Sequence, residues 1–144
     1  MIEAPTQPVA LPHRTRLLLI DDCISQRDLY ECVLKVEFEV MTAARGDEGA
    51  RLATSELPDV VVLDVKMPGQ DGWATCRQLR STPATADIPV ILLTGVEDAA
   101  LDEQARQAGA TALLKKPCSV DRLSETIQSC MRNRRRQKSI TSDS

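Results

Sequence analysis

Two periodicities alternate along the chain from Arg16 onward: short apolar runs, and longer stretches with an apolar residue every three or four positions. The first run is "RLLLI" (16–20), which ends at Asp21 and Asp22. A helical pattern follows from Ser25, carried by Leu29, Cys32, Val33 and Val36. "FEVMTA" (38–43) alternates weakly and reads as a strand. "RGDEGARLATSE" (45–56) reads as a helix with Ala50, Ala53 and then Leu57 on one side, and Pro58 marks its end. "VVVLD" (60–64) is a third strand, followed by a Pro-Gly loop and a helix beginning near Asp71 with Trp73, Cys76 and Leu79 on its inner face. Pro83 breaks that pattern, and "IPVILLT" (88–94) is the fourth strand. "EDAALDEQARQAG" (97–109) places acids at a helix start, where they complement the dipole, and Gly109 just past its end. "TALLKKP" (111–117) supplies the fifth strand. The last helix begins near Ser119, an N-cap, with Val120, Leu123, Ile127 and Met131 as its apolar stripe.

Apolar runs with almost no polar interruption suit parallel strands covered on both faces. The alternation therefore predicts an α/β fold of the flavodoxin-like, doubly wound type: five parallel strands in the order 2-1-3-4-5, with helices on both faces. In such sheets ligands bind outside the carboxyl ends of the strands. Here those ends carry Asp21 and Asp22, then Asp64, then Thr94 and Gly95, then Lys115, Lys116 and Pro117.

Composition narrows the function. A chain of 144 residues supports one domain with a substantial core. The expected organisation is a flexible N-terminal tail (1–14), the domain (15–133), and a basic, polar C-terminal tail or truncated linker (134–144). With one Trp, one Tyr and one Phe, there is no stacking platform for single-stranded nucleic acid. A net charge of -3 argues against whole-domain attraction to DNA or to a membrane. No run approaches the ~20 apolar residues of a membrane span and no leader pattern opens the chain, so the expected location is the cytoplasm. Five cysteines without C-x-x-C spacing fit free thiols. The single histidine, His13, reads as a solvated tail residue and excludes His-rich metal sites and most catalytic triads.

Carboxylates brought together at one sheet end repel one another and raise each other's pKa unless a cation lies among them. Hard oxygen ligands without His or Cys suit Mg²⁺. A lysine and a threonine hydroxyl beside such a cation complete a set of groups able to hold a phosphoryl group. No G-x-x-x-x-G-K-[ST] occurs, so a nucleotide phosphate is not the evident ligand.

These pieces, "LLLIDD", "VVVLDVKMPGQDGW", "IPVILLTG" and "AGATALLKKP", resemble the receiver domain of bacterial response regulators in two-component signalling, over about residues 15–133. The resemblance implies that Asp64 is the phospho-acceptor, attacking the phosphorus of a phosphohistidine on a sensor histidine kinase or histidine phosphotransfer protein. It implies that Asp22, Asp64 and the Lys66 backbone carbonyl bind Mg²⁺ (or Mn²⁺), with Asp21 acting through water. Lys116 would pair with a phosphoryl oxygen, Thr94 would hydrogen-bond another as a switch residue, and Pro117 would follow a cis peptide that aims Lys116 into the site. The protein would then be a signalling switch rather than an enzyme acting on a separate substrate. A homodimer through helix 4, strand 5 and helix 5, including Asp102, Arg106 and Arg122, is the implied partner face.

The sequence departs from that family at several points. Leu113 stands where an aromatic usually follows the threonine's movement, which alters the usual coupling to the output surface. Lys66 and Val96 occupy positions that influence attack of water on the phosphoryl group, and they predict a long-lived phospho-form. Cys23 and Cys118 should lie on active-site loops, and Trp73 reads as a core anchor. The run Arg132, Arg134, Arg135, Arg136 and Lys138 reads as a solvated helix end, with nucleic-acid contact the lesser alternative. A phosphorylation-independent pseudo-receiver remains the alternative function. A haloacid-dehalogenase-type phosphatase would need an aspartate where Lys66 stands, and a cap domain.

Overall fold

A computed structural model describes residues 14–95 and 100–142, with side chains through Arg134. His13 lies outside these residues, as do Val96, Glu97 and Asp98; the side chains of Arg135, Arg136 and Lys138 are likewise outside them. Strands β1 (Arg16–Ile20), β2 (Glu39–Ala43), β3 (Val60–Asp64), β4 (Val90–Thr94) and β5 (Ala112–Lys115) alternate with helices α1 (Ile24–Leu34), α2 (Gly46–Glu56), α3 (Gly72–Ser81), α4 (Leu101–Ala108) and α5 (Val120–Ser142). The sheet runs β2-β1-β3-β4-β5 with every neighbouring pair parallel, which is the predicted doubly wound topology.

Alternation along each strand divides the apolar runs between two cores. Leu18, Ile20, Val61, Leu63, Val90 and Leu92 pack with Ala50 and Ala53 of α2, Cys76 and Leu79 of α3, and Ala105 and Ala108 of α4. Leu17, Leu19, Val60, Val62, Ile91 and Leu93 face the other way, onto Tyr30 and Leu34 of α1 and Leu123, Ile127 and Met131 of α5. β3 and β4 are buried along their whole length, so their terminal Asp64 and Thr94 are held by fully packed strands.

Local signals explain the helix ends. Asp71 caps α3 by accepting from the Ala74 N–H at 2.9 Å. Ser119 Oγ accepts from the Arg122 N–H at 3.1 Å at the start of α5. Gly109 ends α4 with φ 84°, a left-handed conformation that glycine adopts without steric cost. Asp102 and Glu103 lie in the first turn of α4.

Two expectations are corrected. The α1 stripe marked by Leu29, Cys32, Val33 and Val36 faces outward: Leu29 is 61% and Val36 82% exposed. The helix buries Tyr30 and Leu34 instead, continued by Phe38. These bulkier side chains bury more apolar area, and the Tyr30 hydroxyl finds the Cys118 carbonyl at 3.2 Å. Leu57 is also exposed, because it leaves α2 as a left-handed C-cap (φ 49°) that swings it off the helical face. α5 runs as one helix to Ser142, beyond the point where its apolar spacing fades. Within it Arg134 bonds back to the Asp59 carbonyl at 2.8 Å.

Candidate functional site

The carboxyl ends of β1 and β3 bring three acids together. Oxygen atoms of Asp21, Asp22 and Asp64 all lie within 4.8 Å of one another. Asp21 is 1% and Asp64 6% exposed, while Asp22 faces solvent. Asp21 follows the last β1 residue, and its Oδ1 accepts from the Cys23 N–H at 2.9 Å. Its carbonyl is fixed by Arg27 Nη1 at 2.8 Å. Asp21 Oδ2 is buried with no hydrogen-bond partner. Burial pushes the Asp21 carboxyl above its ordinary 3.8, and the charge of Asp64 adds to the rise. A buried carboxylate oxygen without a donor, beside two further carboxylates, is what a hydrated divalent cation would satisfy. The all-oxygen donor set fits Mg²⁺ or Mn²⁺.

Opposite the acids, Lys116 Nζ lies 3.1 Å from Asp64 Oδ2. The same ammonium donates to Gln26 Oε1 at 3.2 Å, so two partners from different elements hold it. The peptide between Lys116 and Pro117 is cis. The Lys116 N–H donates to the Thr94 carbonyl at 2.7 Å, which ties the β5 end to the β4 end, and Thr94 is 2% exposed. The Lys66 N–H points toward Asp64 Oδ1 at 3.4 Å, a long contact, while its side chain is exposed. Lys66, Thr94 and Trp73 line one open cavity beside the acids.

The loop after Asp64 is fixed by close backbone approach. The Gly72 N–H donates to the Val65 carbonyl at 2.8 Å, and a Cβ on Gly72 would fall 2.5 Å from the Asp64 carbonyl oxygen. Gly69 takes φ 77° in the same loop. Gln70 Nε2 reaches Thr75 Oγ1 at 3.1 Å and Gln78 Oε1 at 2.7 Å, anchoring the loop to α3.

Thus Asp21, Asp22, Asp64, Lys66, Thr94 and Lys116 converge, and Val96 lies outside the described residues. Leu113 is half-buried and packs on the core shared with α3 and α4. Cys23 is exposed at the N-cap of α1, whereas Cys118 is buried with its carbonyl held by Tyr30. Trp73 is only half-buried, packed against the core edge. Gln26 and Arg27 were not singled out in the sequence; their signal is position, four and five residues past Asp22 on the first turn of the helix that leaves the site.

The family model described as the response regulator receiver domain matches residues 17–128. Response regulator PleD of Caulobacter vibrioides is 40% identical over 103 residues, 71% of this chain and 23% of that protein. The probable transcriptional regulator ycf27 of Cyanophora paradoxa is 38% identical over 121 residues, 83% of this chain and 49% of that protein. The chain therefore spans from about a quarter to a half of the length of these curated relatives. Among solved structures, chemotaxis protein CheY4 of Vibrio cholerae has a TM-score of 0.78 at 29% identity, covering 82% of this chain and 99% of that one. A response regulator structure from Chloroflexus aurantiacus has a TM-score of 0.78 at 31% identity, covering 83% and 98%. Among the described residues, no helix is long and apolar enough to cross a membrane.

Proposed function

Since the chain belongs to the response regulator receiver family, we propose that it is a phosphorelay switch that accepts a phosphoryl group on Asp64 from a phosphohistidine. The observation that carries this reading is the Lys116 Nζ to Asp64 Oδ2 contact of 3.1 Å beside the three clustered carboxylates. Asp22, Asp64 and the Lys66 carbonyl would hold Mg²⁺ or Mn²⁺, with Asp21 acting through water. When bound, the ion offsets the negative charge of the transferring group.

Asp64 supplies the nucleophilic oxygen. The P–N bond to the donor imidazole breaks, a P–O bond to Asp64 forms, and the imidazole leaves and takes up a proton. Fully buried β3 keeps the attacking carboxylate in one place, which lowers the entropic part of the barrier. Lys116, braced by Gln26, stays beside Asp64 as a fixed cation for a phosphoryl oxygen. Thr94, at the end of buried β4, offers a hydroxyl to another, and its displacement toward the phosphoryl group would change the cavity it shares with Trp73.

The donor is a sensor histidine kinase or a histidine phosphotransfer protein, which has to reach the acidic mouth. The exposed apolar residues Ile24, Leu29 and Val33 on α1, the helix that leaves this mouth, support that side as the donor-facing one. The output face is α4-β5-α5, with Asp102, Arg106 and Arg122 on it, and it is where a phospho-dependent homodimer would form. Arg106 donates from Nε to Glu103 at 3.0 Å within α4, so a partner would have to compete with that pair. The five free thiols support a reducing compartment, the cytoplasm. The domain proper spans residues 15–133, and α5 continues from it as a helix to Ser142.

The test is to mix the protein with Mg²⁺ and acetyl phosphate and record intact mass. One added phosphoryl group, lost in Asp64→Asn, is the expected result. Binding of Mg²⁺ and beryllofluoride is followed in parallel through Trp73 fluorescence and molar mass. No phosphoryl adduct and no response to the mimic would leave the pseudo-receiver reading in its place.

A further inference from the structure

At the opposite end of the sheet from the acids, two half-buried arginines face one cavity of about 280 Å³. Its walls come from the segment before β4 (Ala86, Asp87 and Pro89), from Thr111 before β5, and from Arg80 and Arg134. Parallel strands fix the separation: Pro89 precedes β4 and the Asp59 carbonyl precedes β3, whereas Asp64 and Thr94 stand at the far ends of those strands.

The donors around this cavity outnumber their acceptors. A guanidinium carries five N–H groups in a fixed fork. Arg80 commits four of them: Nε to the Gly109 carbonyl (2.7 Å), Nη1 to the Ala86 and Ile88 carbonyls (3.2 and 2.5 Å), and Nη2 to Thr111 Oγ1 (3.3 Å). One Nη2 proton is left over. Thr111 Oγ1 accepts both that bond and the Val90 N–H at 3.1 Å, which leaves its hydroxyl proton, on an exposed residue, as a donor toward the cavity. Among the described residues Arg134 bonds only the Asp59 carbonyl, through Nη1, and its Nε is buried without a partner there.

Charge is unbalanced in the same sense. Among the described residues neither guanidinium forms an ion pair with a carboxylate. Arg80 is held entirely by neutral oxygens, and burial lowers its pKa from the ordinary value. Asp87 borders the cavity, exposed and outside ion-pair distance, and its charge offsets only part of the lowering that burial imposes on Arg80. Cys130, also on the wall, is a buried thiol whose burial raises its pKa, so it adds no negative charge. The buried Arg134 Nε–H without an acceptor is costly, and a planar or tetrahedral oxyanion is the group whose geometry matches it together with the more exposed Arg80 Nη2.

We propose that the cavity between Arg80, Thr111 and Arg134 is a binding site for a small oxyanion, inorganic phosphate or the carboxylate of a metabolite, separate from the Asp64 site. Arg134 Nε–H, the remaining Arg80 Nη2–H and the Thr111 hydroxyl are the donors. The bound anion would tie α5, through Arg134, to the α3–β4 segment, through Arg80.

The Nε–Hε signals of the arginines report this directly by ¹H–¹⁵N NMR on the full chain without divalent cations. Titration with inorganic phosphate at constant ionic strength should move the Arg134 signal along a saturable curve, and chloride should not. A saturable response to acetate as well would identify any oxyanion as the ligand; a response to phosphate alone would identify phosphate. Asp87→Asn should tighten binding by about threefold, the effect of removing one negative charge at a screened distance of several ångströms. Arg134→Gln should abolish the saturable shift at the remaining reporters, Arg80 Nε–H and the Thr111 amide, and leave the Asp64 amide and phosphorylation by acetyl phosphate unchanged. A linear drift, an equal response to chloride, or a response surviving in Arg134→Gln would overturn the proposal. Should that variant fail to fold, the wild-type titration decides alone.

Discussion

Replacing Gly72 by alanine tests how tightly the phospho-acceptor strand is set by the helix that follows it. Gly72 opens α3 directly beneath the end of β3, with its N–H on the Val65 carbonyl. An added Cβ would meet the Asp64 carbonyl oxygen at 2.5 Å and Val65 Cα at 2.6 Å, against 3.4 Å for ordinary contact. Both obstructing atoms are backbone, so no side-chain rotation relieves the clash; either β3 or α3 must move by roughly 0.9 Å. Overpacking of this kind costs about 1–3 kcal/mol, and a backbone obstacle at the end of a fully buried strand places Gly72→Ala near about 3 kcal/mol. In urea unfolding that is a midpoint lowered by roughly 1–2 M. Misplacing a reacting group by about 1 Å costs on the order of 100-fold in rate, so phosphorylation by acetyl phosphate should fall far more than the loss of folded protein accounts for. Gly69→Ala is the control. Nothing lies within 4 Å of its Cβ, but its φ of 77° carries a left-handed penalty of about 1–2 kcal/mol. It should lose that stability and keep the phosphorylation rate of its folded fraction. A Gly72→Ala protein with wild-type midpoint and wild-type rate would refute the packing argument, as would Gly69→Ala losing rate to the same degree.

Four other substitutions probe the site from different sides. Asp21→Asn removes a buried charge whose folded pKa is raised above 3.8, so the metal-free native state binds that proton more tightly than the unfolded chain. Wild-type stability should therefore fall as pH climbs from about 3.8 through the raised value, and in EDTA at pH 7 Asp21→Asn should be the more stable by about 1–2 kcal/mol, while gaining less from Mg²⁺; equal Mg²⁺ gains in urea unfolding would count against the metal role. Leu29→Gln, on the outward face of α1, should slow phosphotransfer from a protein donor and leave the acetyl phosphate rate untouched, a split that radiolabel transfer assays resolve. Lys66→Asn and Val96→Glu should shorten the lifetime of phospho-Asp64, followed by intact mass after removal of the phosphodonor; unchanged decay would discard the screening role.

The sequence by itself determined the fold and most of the candidate site. Short, mostly apolar runs of four or five residues alternating with helical spacing point to a parallel sheet covered on both faces, and such a sheet sends Asp21, Asp64, Thr94 and Lys116 to one end. Caps at Gly109 and Ser119, and a helix start near Asp71, were legible because they depend on neighbours within four residues. The tertiary structure decided what periodicity leaves open. α1 carries two apolar stripes, and spacing alone does not say that Tyr30 and Leu34 go inside while Leu29 and Val33 face water; the volume left between β1 and α5 decides it. Leu57 fits the α2 pattern until the backbone turns left-handed at that residue. The bracing of Lys116 by Gln26, 90 positions away, belongs to the same class. So does the cavity at the far end of the sheet, where Arg80 and Arg134 meet across 54 positions of chain. Local patterns encode which elements form because helix and strand respond to nearby residues. Which polar atoms are left without partners is fixed only when distant segments are packed and water is excluded between them.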